Sequence, residues 1–207
     1  MIRRALIALG LVVCAAVPGS AQVLGIPVVN NGAPTGLTVG ADVGFSNDQS
    51  LGGGGTAFGG RAALGLGFFG VSAAISHYSP KNGDGLWSPG GAATLRLIGG
   101  PLVPFRITAQ VGVAHFAFGG VNYTHVPISL GLSATIPNPA FAIKPWIAPR
   151  IDVMHGDAGF PSDTRFGISG GIDLALLSGM AIRAAYDRRS QEGSNPSTFS
   201  LGLGFSP

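Results

Sequence analysis

Ten short segments of this chain alternate apolar and polar residues with a period of two. Successive side chains of a strand point to opposite faces, so such alternation gives each strand one oily and one polar side. The first segment, 36–46, sets Leu37, Val39, Ala41, Val43 and Phe45 against Thr38, Gly40, Asp42, Gly44 and Ser46. The second sets Phe58, Ala62, Leu64, Leu66 and Phe68 against Arg61, Gly65 and Gly67, and the third carries Val71, Ala73 and Ile75 on its apolar side. The fourth opposes Ala93, Leu95 and Leu97 to Thr94 and Arg96. In the fifth, the most regular, Phe105, Ile107, Ala109, Val111 and Val113 face away from Arg106, Thr108, Gln110, Gly112 and Ala114. The sixth sets Ile128, Leu130, Leu132 and Ala134 against Ser129, Gly131 and Ser133; the seventh sets Ile143, Ile147, Ile151 and Val153 against Lys144, Arg150 and Asp152. Phe166, Ile168, Ile172 and Leu174 oppose Arg165, Ser169 and Asp173 in the eighth. Ile182, Ala184 and Tyr186 oppose Arg183 and Asp187 in the ninth, and the tenth alternates Phe199, Leu201, Leu203 and Phe205 with Ser200, Gly202 and Gly204.

The gaps between segments alternate too. Short connections at 69–70, 99–104, 137–140 and 177–179 take turns with longer ones at 47–56, 79–90, 117–123, 155–163 and 188–196. This predicts an all-β fold, a closed antiparallel transmembrane β-barrel of about ten strands, with short periplasmic turns and longer extracellular loops. Eight strands is the alternative, because the third and fourth segments are short. Pro145 and Pro149 each remove a ladder donor from the seventh segment, which predicts a bulge or imperfect pairing there.

Composition decides which face is outside. Charged residues make up 10% of the chain and hydrophobic ones 46%, whereas a soluble surface wants roughly 25–35% charge. No apolar run reaches the roughly 20 residues of a spanning helix, and the 35 glycines and 15 prolines disfavour helices generally. Only helices and closed barrels satisfy every backbone group in lipid, so the Leu/Val/Ile/Phe face is read as lipid-facing.

The start of the chain reads as a secretory signal, residues 1–21: Arg3 and Arg4 are its basic region, Ala5 to Ala16 its apolar core, and Gly19 and Ala21 suit the positions before cleavage. Cys14 falls within it, after Val12 and Val13 rather than the small residues of a lipoprotein signal, so the mature chain carries no cysteine and no thiolate metal site. Removing the signal leaves ten basic and nine acidic residues, a net charge of about +1, which gives no argument for a nucleic-acid partner. Residues 22–35, with Pro27 and Pro34, read as a periplasmic lead-in, and 36–207 as the barrel domain.

The pattern, the export signal and the ending Phe199-Ser200-Leu201-Gly202-Leu203-Gly204-Phe205 resemble the small bacterial outer-membrane β-barrel proteins, the OmpA-, OmpX- and OmpW-like barrels. The resemblance covers nearly the whole mature chain. It implies Sec-type export to the bacterial outer membrane and contact with outer-membrane lipid and lipopolysaccharide. It also implies a monomer, and a C-terminal strand (Phe199, Leu201, Leu203, Phe205) read by the barrel-assembly machinery, although Ser206 and Pro207 follow the final aromatic. Members of such families have diverse roles, so fold alone does not assign function.

By parity, Asp42, Arg61, Arg96, Arg106, Lys144, Arg150, Asp152, Arg165, Asp173, Arg183 and Asp187 point into the lumen. Two readings follow: a pore with excess positive charge that mildly favours anions, or an internal ion-pair network filling a narrow barrel. His77, His115, His125 and His155 fall at strand ends near the longer loops, with Asp48, Asp84, Asp157 and Asp163 in those loops. A His–Asp pair there, such as His155 with Asp157, is the candidate for water activation in a surface hydrolase; no spacing marks a metal site. Gly52 to Gly55 precedes no helix and is not a phosphate loop. Trp87, Tyr78, Tyr123, Phe116, Phe118 and Phe160 read as an interfacial girdle, and Trp146 as a lumen filler. The expectation is a non-enzymatic barrel without cofactor or metal, structural, surface-interacting or narrowly porous; a small-solute channel with mild anion preference and a surface hydrolase are the alternatives.

Overall fold

The computed structural model describes residues 23–33, 35–99, 103–157, 162–191 and 195–207; the stretch expected as a signal peptide, 1–21, and Phe160 lie outside them. Ten long antiparallel strands close into a barrel: β1 (Gly36–Ser46), β2 (Gly55–Leu66), β3 (Phe69–Pro80), β4 (Leu86–Ile98), β5 (Phe105–Phe118), β6 (Val121–Ala134), β8 (Phe141–Gly156), β9 (Asp163–Leu176), β10 (Met180–Arg189) and β11 (Ser197–Phe205). A two-residue strand, β7 (Ile136–Pro137), pairs with β8 beside the main ladder. Each strand pairs with the next, β6 pairs with β8, and β1 with β11, Val39 opposite Phe205, completes the closure. No sheet edge along the long strands is left open, which is the condition for strands to sit in hydrocarbon.

The outer surface is the apolar side of every strand. Leu64, Ile75, Leu95, Val111, Leu130, Ile151, Ile172, Ile182 and Leu203 are all exposed there, an arrangement that only a hydrocarbon surround makes favourable. The start of β1 and the end of β11 lie at one end of the barrel, here the turn end, with connections 67–68, 99–104, 135–140 and 177–179. The loop end carries 47–54, 81–85, 119–120, 157–162 and 190–196. The strands run further than the alternation suggested. β3 and β4 have 12 and 13 residues, and 117–123 shrinks to a two-residue hairpin at Gly119 and Gly120, whose φ of 60° and 80° suit a turn open to glycine.

Proline acts on one side of β8 only. The β8–β9 ladder keeps its register through Pro145 opposite Ile172 and Pro149 opposite Ile168. The β6–β8 ladder is interrupted between Ser129–Arg150 and Leu132–Ile147, without a change of register, where Pro149 faces β6. The register shift in the sheet falls elsewhere, between Arg96 and Ile98 of β4.

Residues 23–33, expected as part of a periplasmic lead-in, lie inside the barrel. Val23, Leu24, Ile26, Val28, Asn30 and Ala33 are all at most 6% exposed. The segment descends the lumen from the loop end to the turn end and then turns into β1. Leu24 sits by Ser76 of β3, Asn30 by Thr108 and Ser129, and Gly32 by Arg106 and Ser133. The physical reason is the smallness of the wall. A Cβ on Gly44 would overlap the Gly25 carbonyl, and one on Gly131 would overlap the Asn30 carbonyl. A wall of glycine and serine cannot fill its own interior, and close packing favours a guest strand of chain.

Candidate functional site: the barrel lumen

The loop-end half of the lumen is solid. Val23, Leu24 and Ile26 of the inner segment pack with Ala57, Tyr78, Leu86 and Phe116 of the wall and with Leu51, which a single 3₁₀ turn (Gln49–Leu51) folds over the opening. Asp48 caps that turn by accepting from the Ser50 amide, 3.0 Å, and its other oxygen pairs with Arg189 at 2.7 Å. Among the described residues, a void of about 10 Å³ lies between Leu24, Tyr78, Phe116, His125 and Arg189, too small to carry solute.

Beneath this lid the charges form a closed network. Arg150 holds Asp152 through Nε at 2.8 Å and Asp187 through Nη1 at 2.6 Å and Nη2 at 3.0 Å. Ser169 donates to Asp187 at 2.6 Å, and Nε2 of His125 lies 2.9 Å from Asp152. All five residues are at most 5% exposed. One guanidinium shared by two carboxylates, each with a further polar partner, is how buried charges become tolerable. Asn30 of the inner segment joins at the same depth: its amide donates to Ser129 at 3.0 Å, and Thr108 donates to its carbonyl at 2.6 Å.

The turn-end half is hollow. A cavity of about 480 Å³ is bounded by the inner segment on one side and by β1 to β5 and β8 to β11 on the other. Asp42 pairs with Arg61 at 3.5 Å. Asp173 accepts from Arg183 Nε at 2.6 Å and Nη2 at 3.0 Å, and from Asn31. Arg106 and Lys144 also line this space. The cavity reaches the rim, where its lining includes Thr35, Leu177 and Ser206.

The lumenal candidates thus separate by height. Asp42, Arg61, Arg106, Lys144, Asp173 and Arg183 meet at the cavity; Arg150, Asp152 and Asp187 form the network above. Arg165 leaves the network and pairs with Asp163 near the loop end, and Arg96 donates to the Gly67 carbonyl at the opposite rim, 2.9 Å. Phe199, Leu201, Leu203 and Phe205 form an exposed outer row on β11. Trp146 is buried against Ala148, Ala185 and Val29 of the inner segment.

Among the described residues no hydrogen bond joins His155 to Asp157, although, in addition to Asn122, His115 and His155 lie near enough to help lower the Asp157 carboxyl. His155 Nδ1 is 2.9 Å from Ser162 Oγ. Asp157 is engaged elsewhere: it accepts from the Asn122 amide at 3.0 Å and side chain at 2.6 Å, and these donors hold its carboxyl below the usual value. His77 packs edge-on against Trp87 with centroids 4.9 Å apart, and His115 is exposed. His125, placed by its sequence position at the rim, is buried in the lumen. Tyr78 and Phe116, expected in the interfacial girdle, also face inward, where Phe116 stacks on Tyr123. Their strands' parity carried that signal: each lies on the polar side. The sequence left Asn30, Asn31 and Arg189 unmarked and named Asp48 only as a rim carboxylate, since nothing in their local pattern marks a partner 78 to 142 residues away.

No protein-family description matches this chain, and no curated protein matches its sequence. Solved structures match its fold. The β domain of the Bordetella autotransporter BrkA superposes with a TM-score of 0.56 at 14% identity, covering 83% of this chain and 99% of that one. The KdgM porin, solved with disordered oligogalacturonate, has a TM-score of 0.46 at 10% identity over 82% of this chain and 99% of its own. The outer membrane enzyme PagL has 0.43 at 14% identity over 82% and 99%. The BrkA match together with the closed ten-strand barrel and its apolar belt gives the fold of an outer-membrane β-barrel, consistent with a place in a bacterial outer membrane.

Proposed function

We propose that this protein is a non-enzymatic outer-membrane barrel with a structural or surface-interaction role, closed to solute by its own N-terminal segment. The observation that carries this reading is the burial of residues 23–33 within the lumen, together with the Arg150 network and the Leu51 lid. A solute path needs a continuous wet channel, and the void beneath the Leu51 lid, among the described residues, is about 10 Å³. The turn end is assigned to the periplasm and the loop end to the outside, after Sec-type export with removal of 1–21. The exposed row on β11 is the segment presented to the assembly machinery, and the apolar belt meets lipid and lipopolysaccharide as a monomer. His155 meets Ser162 and Asp157 is held by Asn122, and among the described residues no hydrogen bond joins the two; this speaks against a water-activating pair at the rim.

Conductance in a planar bilayer tests the closed state. The refolded mature protein is expected to be silent, and a variant lacking 23–33 is expected to conduct with a bias toward anions. Steady conductance by the unaltered protein would overturn the closed reading in favour of a small-solute channel.

A further inference from the structure

The half-empty lumen poses a question that closure does not answer: what the turn-end cavity is for. Its charge is unbalanced. Four cations, Arg61, Arg106, Lys144 and Arg183, line it with two carboxylates, Asp42 and Asp173. Asp173 is engaged by Arg183 and Asn31, and Asp42 by Arg61 through one oxygen, its other oxygen lacking a partner among the described residues. Among the described residues neither Arg106 nor Lys144 has an acid within salt-bridge distance, although Lys144 stands opposite Asp173 in the ladder. Arg183 is 8% exposed, and its Nη1 donates to nothing among the described residues. A buried guanidinium nitrogen without an acceptor is costly unless an acceptor enters. Two cations with no salt-bridged acid among the described residues and an orphaned donor face one walled space, where low-dielectric surroundings strengthen any anion they meet.

Size and lining narrow the class. A volume of about 480 Å³ lies within the range of roughly 300–1,000 Å³ for small-molecule sites. Val28, Val29 and Ile26 of the inner segment supply an apolar side. Guanidinium groups match carboxylate and phosphate geometry through paired N–H donors. We infer that the turn-end cavity is a binding site for a small organic anion, a carboxylate or a phosphate ester, which enters from the turn end and is held by Arg106, Lys144 and Arg183. The site goes beyond the closed-barrel reading: a barrel that conducts could still bind there, and a silent barrel could fail to.

Titration calorimetry on the refolded mature protein in non-ionic detergent tests it, with inorganic phosphate and succinate as separate probes. Saturable binding of at least one is expected, weakened about tenfold or more in R106Q/K144Q. Phosphate binding alone assigns the phosphate class; succinate binding alone assigns the carboxylate class. Ala63, an inward cavity-lining residue of β2, provides a second test: Ala63→Phe keeps every charge and fills the space, so it too is expected to lose binding. Heat-modifiable electrophoretic mobility checks that each variant is folded. Absence of saturable binding to both probes overturns the proposal, and so does affinity unchanged in the folded variants.

Discussion

The two halves of the lumen share one wall and are filled in opposite ways. Toward the loop end, the inner segment, a loop-borne leucine and a shared-guanidinium network surround a void of about 10 Å³; toward the turn end, the same wall encloses about 480 Å³. The charges differ as much as the volumes. Above, one cation serves two acids and a histidine completes the set. Below, cations outnumber acids and two of them stand outside any salt bridge. Filled lumen with paired charges gives stability and closure; hollow lumen with surplus charge gives a place to bind. Backbone architecture does not distinguish the halves. The height at which small residues, long side chains and the inner segment meet does.

Removing the central cation tests this difference most severely. Arg150→Leu leaves Asp152 and Asp187 buried without their shared partner and is expected to cost about 3–5 kcal/mol. Lys144→Leu in the hollow half, which breaks no close pair, is expected to cost under about 1 kcal/mol. Urea unfolding of both variants in the same lipid vesicles measures the contrast. Equal losses would mean that the upper network contributes no more than the lower surplus.

A smaller contrast uses added methyl groups. Gly131→Ala places a Cβ against the Asn30 carbonyl, whereas one at Gly204, beside the cavity, meets nothing closer than the Val39 carbonyl at 3.6 Å. Overpacking is expected to destabilise Gly131→Ala by about 1–3 kcal/mol, with Gly204→Ala close to unaltered stability. A tolerated Gly131→Ala would show that the inner segment moves aside easily, and the seal would then be weak.

The gentlest test sits at the loop end, outside the spanning strands. Asn122 holds the Asp157 carboxyl below its ordinary value of 3.8, linking the β5–β6 hairpin to the β8–β9 connection. A lowered folded-state value means that this contribution is present above the unfolded carboxylate range and is lost as pH falls through the lowered value. Asn122→Ala should move the Asp157 midpoint upward, only part of the way because the backbone donor remains. Carboxyl ¹³C shifts during an acid titration read this, and an unmoved midpoint would leave the side chain without influence.

Much of this was written locally in the chain. Alternation such as Phe105 to Ala114 determines a strand and both of its faces, because side-chain direction in a strand depends only on parity. The scarcity of charge then determines which face meets lipid, and the same parity places Arg150 and Asp187 inside. Tyr78 and Phe116 were legible by that rule as well, and only a preference for aromatics at the interface argued otherwise. What lay beyond local pattern was partnership. Asn30 meets Ser129, and Asp48 meets Arg189, across 99 and 141 residues, because barrel closure brings distant strands to the same height. Residues 23–33 have no strand alternation and no motif to announce their place. They lie inside because the closed wall, lined by Gly44 and Gly131, leaves a space that only another stretch of backbone fits. The sequence alone determined the barrel and its lipid face, through rules that act over neighbouring residues. The seal and the cavity were decided by tertiary structure, through volumes that exist only once the tenth long strand has met the first.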